Sequence, residues 1–197
     1  MTGGRRLSQA ISEGDGISII ALVADPGTAR AAEEQGAEGI AVSAAAPDLR
    51  DATGLPILFR VDASPEAASD AGADACLIVV EDHDDEEHLE ELHRRAEHLG
   101  LEIVVDVHDE ESLADSLERI EPEIFLLSPR EAEDDEEDLE RILDLLPDVP
   151  AGKLAIADLQ AASRDDVVAL ARAGVDAVLV GSASIAHLVG GAPPAEV

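Results

Sequence analysis

Three stretches of this chain repeat one phrase: a glycine, a small apolar residue, an acid and then a short apolar run. They read QGAEGIAV at 35–42, AGADACLIVV at 71–80 and AGVDAVLVG at 173–181. Each glycine follows a segment rich in good helix formers, which suits the left-handed residue that ends a helix. The apolar runs do not alternate with polar residues, which is typical of a parallel strand covered on both faces. Each phrase therefore predicts a joint that leads from a helix into a buried parallel strand.

Counting such units along the chain predicts the fold. Eight apolar runs are candidate strands, namely Ile17–Val23, Gly39–Ser43, Ile57–Val61, Ala75–Val80, Glu102–Val107, Glu123–Leu127, Lys153–Ala157 and Ala177–Val180. Helices are predicted at Pro26–Gln35, Pro65–Ala71, Asp85–Leu99, Asp109–Ile120, Glu136–Leu146 and Arg164–Ala173, and after Gly181 to about Val189. Eight strands that alternate with helices predict a closed, compact (β/α)8 barrel with short βα loops.

The alternative is an open, doubly wound sheet. That fold would call for a glycine-rich fingerprint after the first strand, and VADPG at 23–27 does not supply one. We therefore expect a single barrel domain over 16–190, preceded by a segment at 1–15 and followed by a tail at 191–197. The second unit is the weakest, because 45–52 leaves room for only a turn or two of helix.

The balance of charge limits the partners that we expect. Acids number 45 against 13 Lys and Arg, which gives a net charge of −32. Such a surface repels nucleic acid phosphates and anionic membranes. No apolar run reaches membrane length and no signal-peptide pattern is present, so we expect a cytoplasmic protein. We also expect a monomer without a cofactor. The histidines at 83, 88, 93 and 98 do not share a helix face, so we expect no metal site.

The same charge predicts a response to salt. Self-repulsion among the acids should destabilise the fold in dilute buffer, and added ions should screen it. We expect the melting temperature to rise in molar KCl, as thermal melts across a KCl series would measure. A melting temperature that stays flat or falls with salt would contradict this expectation. The sequence does not separate a high-salt cytoplasm from a GC-rich genome as the origin of the acidity.

Longer motifs give the chain a family resemblance. Five stretches resemble the indole-3-glycerol phosphate synthase family, whose fold is a phosphate-binding TIM barrel: DPGTARAAEEQGAEGIAV, LPILFRVD, AGADACLIVV, LGLEIVVDVHDEESL and AGVDAVLVG. The resemblance implies a carbon–carbon lyase of tryptophan biosynthesis. Its reaction closes the indole ring of a phosphorylated carboxyphenylamino-deoxyribulose, with loss of CO₂ and water. It also implies a small phosphorylated substrate.

The resemblance assigns functional positions to residues of this chain. The family's third-strand lysine falls on Arg60, its fifth-strand glutamate on Asp106, and the glutamate of its seventh-strand motif on Asp158. The family's Asn-Asn-Arg-Asp motif falls on 128–131, which keeps only the arginine. The implied catalytic positions are Arg60, Asp106 and Asp158; the substrate-binding positions are Ser128 and Arg130; the phosphate-binding positions are Gln160, Gly181, Ser182 and Ala183.

Departures from the family motifs indicate impaired chemistry. The family's first-strand Glu-Ile-Lys motif is replaced by apolar residues at 20–23, and the chain's one lysine, Lys153, opens the seventh strand, at the end of the barrel opposite an active site. Arg60 can hold an anion but is a poor acid. We therefore expect weak or absent ring closure. The alternatives are a noncatalytic barrel that binds a partner or small anion, and an enzyme for another small phosphorylated substrate.

The inward charges have two interpretations. By strand alternation, Asp106 and His108 share one face of the fifth strand, and Arg60 and Asp158 should also point inward near the barrel mouth. They form either a polar ligand site or an ion network that closes the top of the barrel. We favour the ion network.

Overall fold

The computed structural model describes residues 7–14, 16–83, 85–128, 135–159, 162–182, 185 and 188. Its strands are β1 Ser18–Leu22, β2 Gly39–Val42, β3 Ile57–Phe59, β4 Ala75–Ile78, β5 Glu102–Val107, β6 Ile124–Leu127, β7 Leu154–Asp158 and β8 Ala177–Gly181. Its helices are α1 Leu7–Ser12, α2 Pro26–Glu34, α3 Leu49–Ala52, α4 Pro65–Asp70, α5 Glu86–Leu99, α6 Glu110–Arg119, α7 Asp135–Leu145 and α8 Arg164–Ala173. Short 3₁₀ turns lie at Val80–Asp82 and Leu146–Asp148.

The eight strands form a closed barrel in sequence order, and every neighbouring pair is parallel. Closure is made by β1 and β8, whose register runs from Ser18 opposite Ala177 to Leu22 opposite Gly181. The predicted barrel is therefore confirmed and the open sheet is excluded. The bounds of β5 agree with the prediction, and those of the other strands differ from the predicted ones by at most two residues. Val80, for example, belongs to the 3₁₀ turn after β4.

Alternation along the strands divides the apolar residues into two cores. One set lies inside the barrel and includes Ile20, Leu58, Val104, Ile156 and Leu179. The other set faces the helices. On β5 the residues on either side of Val104 face the helices, while Asp106, two positions on, continues the inner row. The inner face is thus apolar through the middle of the barrel and becomes polar towards its carboxyl end.

A short helix that the sequence did not predict closes the opposite, amino-terminal end. Leu7 and Ile11 of α1 are 0% and 4% exposed and belong to the inner core. The backbone N–H of Ser8 donates to Oε2 of Glu102 at 3.2 Å, and the Ser8 hydroxyl donates to Oε1 of the same side chain. The helix therefore covers the apolar floor of the barrel and donates two hydrogen bonds to the buried Glu102 carboxylate.

The repeated phrase has the expected helix-ending glycines. Gly72 and Gly174 have φ values of 72° and 102°, in the region that residues with a side chain rarely adopt.

The acids of the phrase have a role that the sequence analysis did not identify. Asp176 donates its backbone N–H to Ala155 O at 3.0 Å and accepts Ala155 N–H on Oδ2 at 2.8 Å. The acid therefore fastens the start of β8 to the start of β7.

This reciprocal bond predicts a specific loss of stability. Replacing Asp176 by alanine removes the acceptor of the buried Ala155 N–H, so we expect a loss of about 1–3 kcal/mol in the free energy of unfolding. Asp176→Asn keeps an acceptor oxygen at the same place and should lose clearly less. Urea unfolding of the two variants measures the difference. Equal losses would show that the negative charge, and not the hydrogen bond, matters at this position.

Candidate active site at the barrel mouth

The carboxyl ends of β3, β5, β6 and β7 bring four predicted site residues together. Arg60 follows β3, Asp106 lies in β5, Ser128 follows β6 and Asp158 ends β7. Since parallel strands of a barrel all end at the same rim, these side chains reach the mouth, where active sites of this fold lie. Lys153 directly precedes β7 and therefore lies at the other end.

A salt bridge crosses the mouth. Nη2 of Arg60 lies 2.5 Å from Oδ2 of Asp158, and the two side chains are only 14% and 9% exposed. Strands β3 and β7 are four positions apart in an eight-stranded ring, so the bridge spans the barrel from one side to the other. The guanidinium is thereby neutralised and held over the barrel axis. Nε of Arg60 is buried and makes no hydrogen bond within the described residues.

Both buried carboxyl groups of the mouth have raised pKa values. Burial raises the pKa of Asp158, and the charge and hydrogen bond of Arg60 oppose the rise. Burial likewise raises the pKa of Asp106; the hydrogen bond from the Ser128 hydroxyl and the nearby charges of His108 and Arg60 oppose it. Desolvation disfavours the charged form of an acid, so each carboxylate depends on its partners to remain ionised.

His108, directly after β5, contacts both Ser128 and Glu81. Its Nδ1 lies 2.7 Å from the Ser128 carbonyl oxygen and 3.1 Å from the Ser128 hydroxyl. Its Nε2 lies 3.5 Å from Oε1 of Glu81, in the 3₁₀ turn after β4. Strand alternation predicted that His108 faces the same way as Asp106, but Glu81 was missed. The feature that could have identified Glu81 is its position immediately after a buried apolar run, where a barrel strand ends.

The structure describes only some of the predicted phosphate-binding residues. Gly181 ends β8 and Ser182 follows in a turn, both half-buried at the mouth. Gln160, Ala183 and the predicted substrate-binding Arg130 lie outside the described residues. Backbone N–H groups near Gly181 remain candidates for an anion, because a glycine lets a ligand approach the main chain closely.

Comparisons with known proteins agree with the geometry. The indole-3-glycerol phosphate synthase family profile matches residues 62–188, well over half of the chain. The chain belongs to the indole-3-glycerol phosphate synthase family. The synthase of Variovorax paradoxus is 36% identical over 133 residues, which cover 66% of this chain and 49% of that protein. The synthase of a Geobacillus species is 33% identical over 138 residues, covering 68% and 53%.

The family assignment confirms the resemblance seen in the motifs. This synthase-family chain spans about half the length of the curated relatives that it matches. Among solved structures, a mandelate oxidase variant with an FMN adduct superposes with a TM-score of 0.64 at 17% identity, over 88% of this chain and 67% of that one. At that identity the likeness concerns the barrel fold alone. Within the described residues, no helix combines the length and apolarity needed to cross a membrane.

Proposed function

We propose that this chain is an impaired member of the synthase family, whose barrel mouth closes the indole ring feebly or not at all. The observation that carries the proposal is the salt bridge between Arg60 and Asp158 across the mouth. Ring closure needs a group that can give up a proton near neutral pH. A guanidinium keeps its proton throughout the pH range near neutrality, and here a carboxylate also holds it in place.

Two further features support the proposal. The chain's one lysine lies at the amino end of β7, so it cannot substitute for an acid at the mouth. The bridge also occupies the centre of the space where a substrate of this family would enter. A small phosphorylated compound remains the substrate class that the family suggests, with the backbone around Gly181 and Ser182 as its phosphate contact.

The test is a direct assay of ring closure. The product carries an indole, and this chain contains neither Trp nor Tyr, so its own fluorescence does not interfere. With the Variovorax paradoxus synthase as the active control, we expect kcat/KM to be lower by at least about 10²–10⁴-fold, the usual effect of losing a general acid. A rate for the unmodified chain that approaches the control would overturn the proposal.

Arg60→Lys, assayed alongside, tests the stated cause. Lysine puts a group that can release a proton at the same position, while it keeps a positive charge opposite Asp158. A higher rate in this variant would identify the guanidinium as the reason for the weak activity. An unchanged rate would assign the loss to the missing first-strand charges instead.

A second function, binding of a small anion without turnover, is favoured by Nε of Arg60, which is buried and has no hydrogen-bond partner among the residues that the structure describes. A buried donor without an acceptor is costly, and an anion at the mouth would supply one. Calorimetric titration with inorganic phosphate, with Arg60→Met as the control, distinguishes this function. Equal binding to both proteins would exclude it.

A further inference from the structure

We propose that His108 is a positioning residue of the barrel mouth, which holds Ser128 so that its hydroxyl donates to Asp106. The contacts form a row from the rim inwards: Glu81, His108, Ser128 and Asp106. The inference rests on the proposed function only in taking Asp106 as part of the site.

The geometry defines which imidazole nitrogen carries the proton. A carbonyl oxygen can only accept, so the 2.7 Å contact with the Ser128 carbonyl requires a proton on Nδ1 of His108. This contact fixes the backbone of Ser128 relative to β5. The Ser128 hydroxyl, 3.1 Å from the same nitrogen, is thereby directed towards Oδ1 of Asp106. His108 therefore acts on Asp106 through Ser128.

Nε2 is left for the second proton. It is buried and makes no hydrogen bond within the described residues, and Oε1 of Glu81 at 3.5 Å is within ion-pair distance. The side chain of His108 is 6% exposed, whereas that of Glu81 is 35% exposed. A proton that arrives at Nε2 would thus come from the solvent side of the mouth, past Glu81.

Charged groups from four elements face His108. They are Glu81 after β4, Asp106 in β5, three acids at the start of α6 and two residues of α7. The α6 and α7 groups line a cavity of about 470 Å³ together with His108, and they are Asp109, Glu110, Glu111, Arg141 and Asp144. The Arg141 guanidinium is already paired with Glu137 at 2.6 Å. A protonated His108 would therefore be surrounded mainly by carboxylates, with Oδ1 of Asp106 at 3.9 Å from Nδ1.

This arrangement places the imidazole of His108 where a positive charge on it would act on Asp106. Histidine is the side chain whose charge ordinarily changes near neutrality. A positive His108 favours the ionised form of Asp106, which burial disfavours. When His108 is neutral, Asp106 keeps only the Ser128 hydroxyl and the charge of Arg60 in its favour. Removing the imidazole of His108 should therefore change the ionisation of Asp106 even without a ligand.

The experiment follows the carboxyl ¹³C resonance of Asp106 across a pH series in the full chain, without substrate. In His108→Gln, which cannot carry a charge, we expect the pKa of Asp106 to rise relative to the parent protein. His83→Gln is the matched control, since His83 bonds to Asp62 at 2.9 Å on the neighbouring loop. It should leave Asp106 unchanged. An unchanged Asp106 titration in His108→Gln, or an equal shift in the control, would overturn the proposal.

A second measurement keeps His108 in place, in case the variant does not fold. The ¹⁵N spectrum of the parent protein reports which ring nitrogen of neutral His108 carries the proton. We expect the proton on Nδ1, and a proton on Nε2 would overturn the proposal. Neither measurement uses ring closure, so an active enzyme would contradict the proposed function and leave this inference to be decided by the two spectra.

Discussion

Replacing Arg60 by methionine is expected to lower the free energy of unfolding by about 3–5 kcal/mol near neutral pH, the usual cost of breaking a buried ion pair. The methionine fills similar space, but it leaves the carboxylate of Asp158 buried without its cation. Asp106 also loses a favourable charge, since Arg60 helps to keep it ionised. Urea unfolding of the parent and the variant measures the loss.

The size of this loss should depend on pH in a defined direction. Burial raises the pKa of Asp158, and removing Arg60 takes away the charge that opposes the rise. A group whose pKa is higher in the folded state stabilises the fold at pH values below its unfolded pKa, about 3.9 for aspartate. That contribution is lost as the pH rises through the folded pKa. The destabilisation by Arg60→Met should therefore shrink as the solution is acidified.

The control is the double variant Arg60→Met with Asp158→Leu. Two apolar side chains leave no unpaired charge, so the double variant should be more stable than Arg60→Met alone near neutral pH, and less dependent on pH. If both proteins lose the same stability at every pH, the bridge is not what holds the mouth together.

Replacing Leu7 by alanine is expected to cost about 2–5 kcal/mol, the usual range for a leucine removed from a packed core. Leu7 is fully buried against the inner core, and it lies close to the start of β2 at Gly39. The substitution would leave a cavity in the floor of the barrel, at the point where α1 closes it. Chemical denaturation of the variant gives the magnitude.

Leu99→Ala provides a matched control for Leu7→Ala. Leu99 ends α5 and is 39% exposed, so its removal should change stability by only about 0.5 kcal/mol. Similar losses in the two variants would mean that α1 frays readily and adds little to the stability of the barrel.

Much of the fold could be predicted from the sequence because the signals were local. Runs such as 177–180 are apolar without interruption, and the glycine phrases mark where helices end, as at Gly174. Helix α1 was missed because six residues carry little periodicity. The helix is stabilised by packing on the barrel floor, whose residues are distant from α1 in the sequence. The hydrogen bonds of Asp176 were missed for the same reason, since their partner is 21 residues earlier.

The candidate site could be predicted as a set of residues but not as an arrangement. Strand ends and family motifs selected Arg60, Asp106, Ser128 and Asp158, and the structure brings all four to one rim. The sequence could not decide whether Arg60 faces a ligand or a carboxylate of the chain. The pairing with Asp158 joins residues 98 positions apart and depends on how far each side chain reaches across the ring.

The amino-acid sequence by itself therefore determined the repeating helix–strand unit and the eight strands, because these follow from propensity and pattern along the chain, and its family motifs indicated the residue types that meet at the mouth. Closure of the barrel floor by Leu7, the bridge from Arg60 to Asp158, and the contact of His108 with Ser128 were decided only by the tertiary structure. Each depends on distances across the barrel, and these are set when the eighth strand pairs with the first.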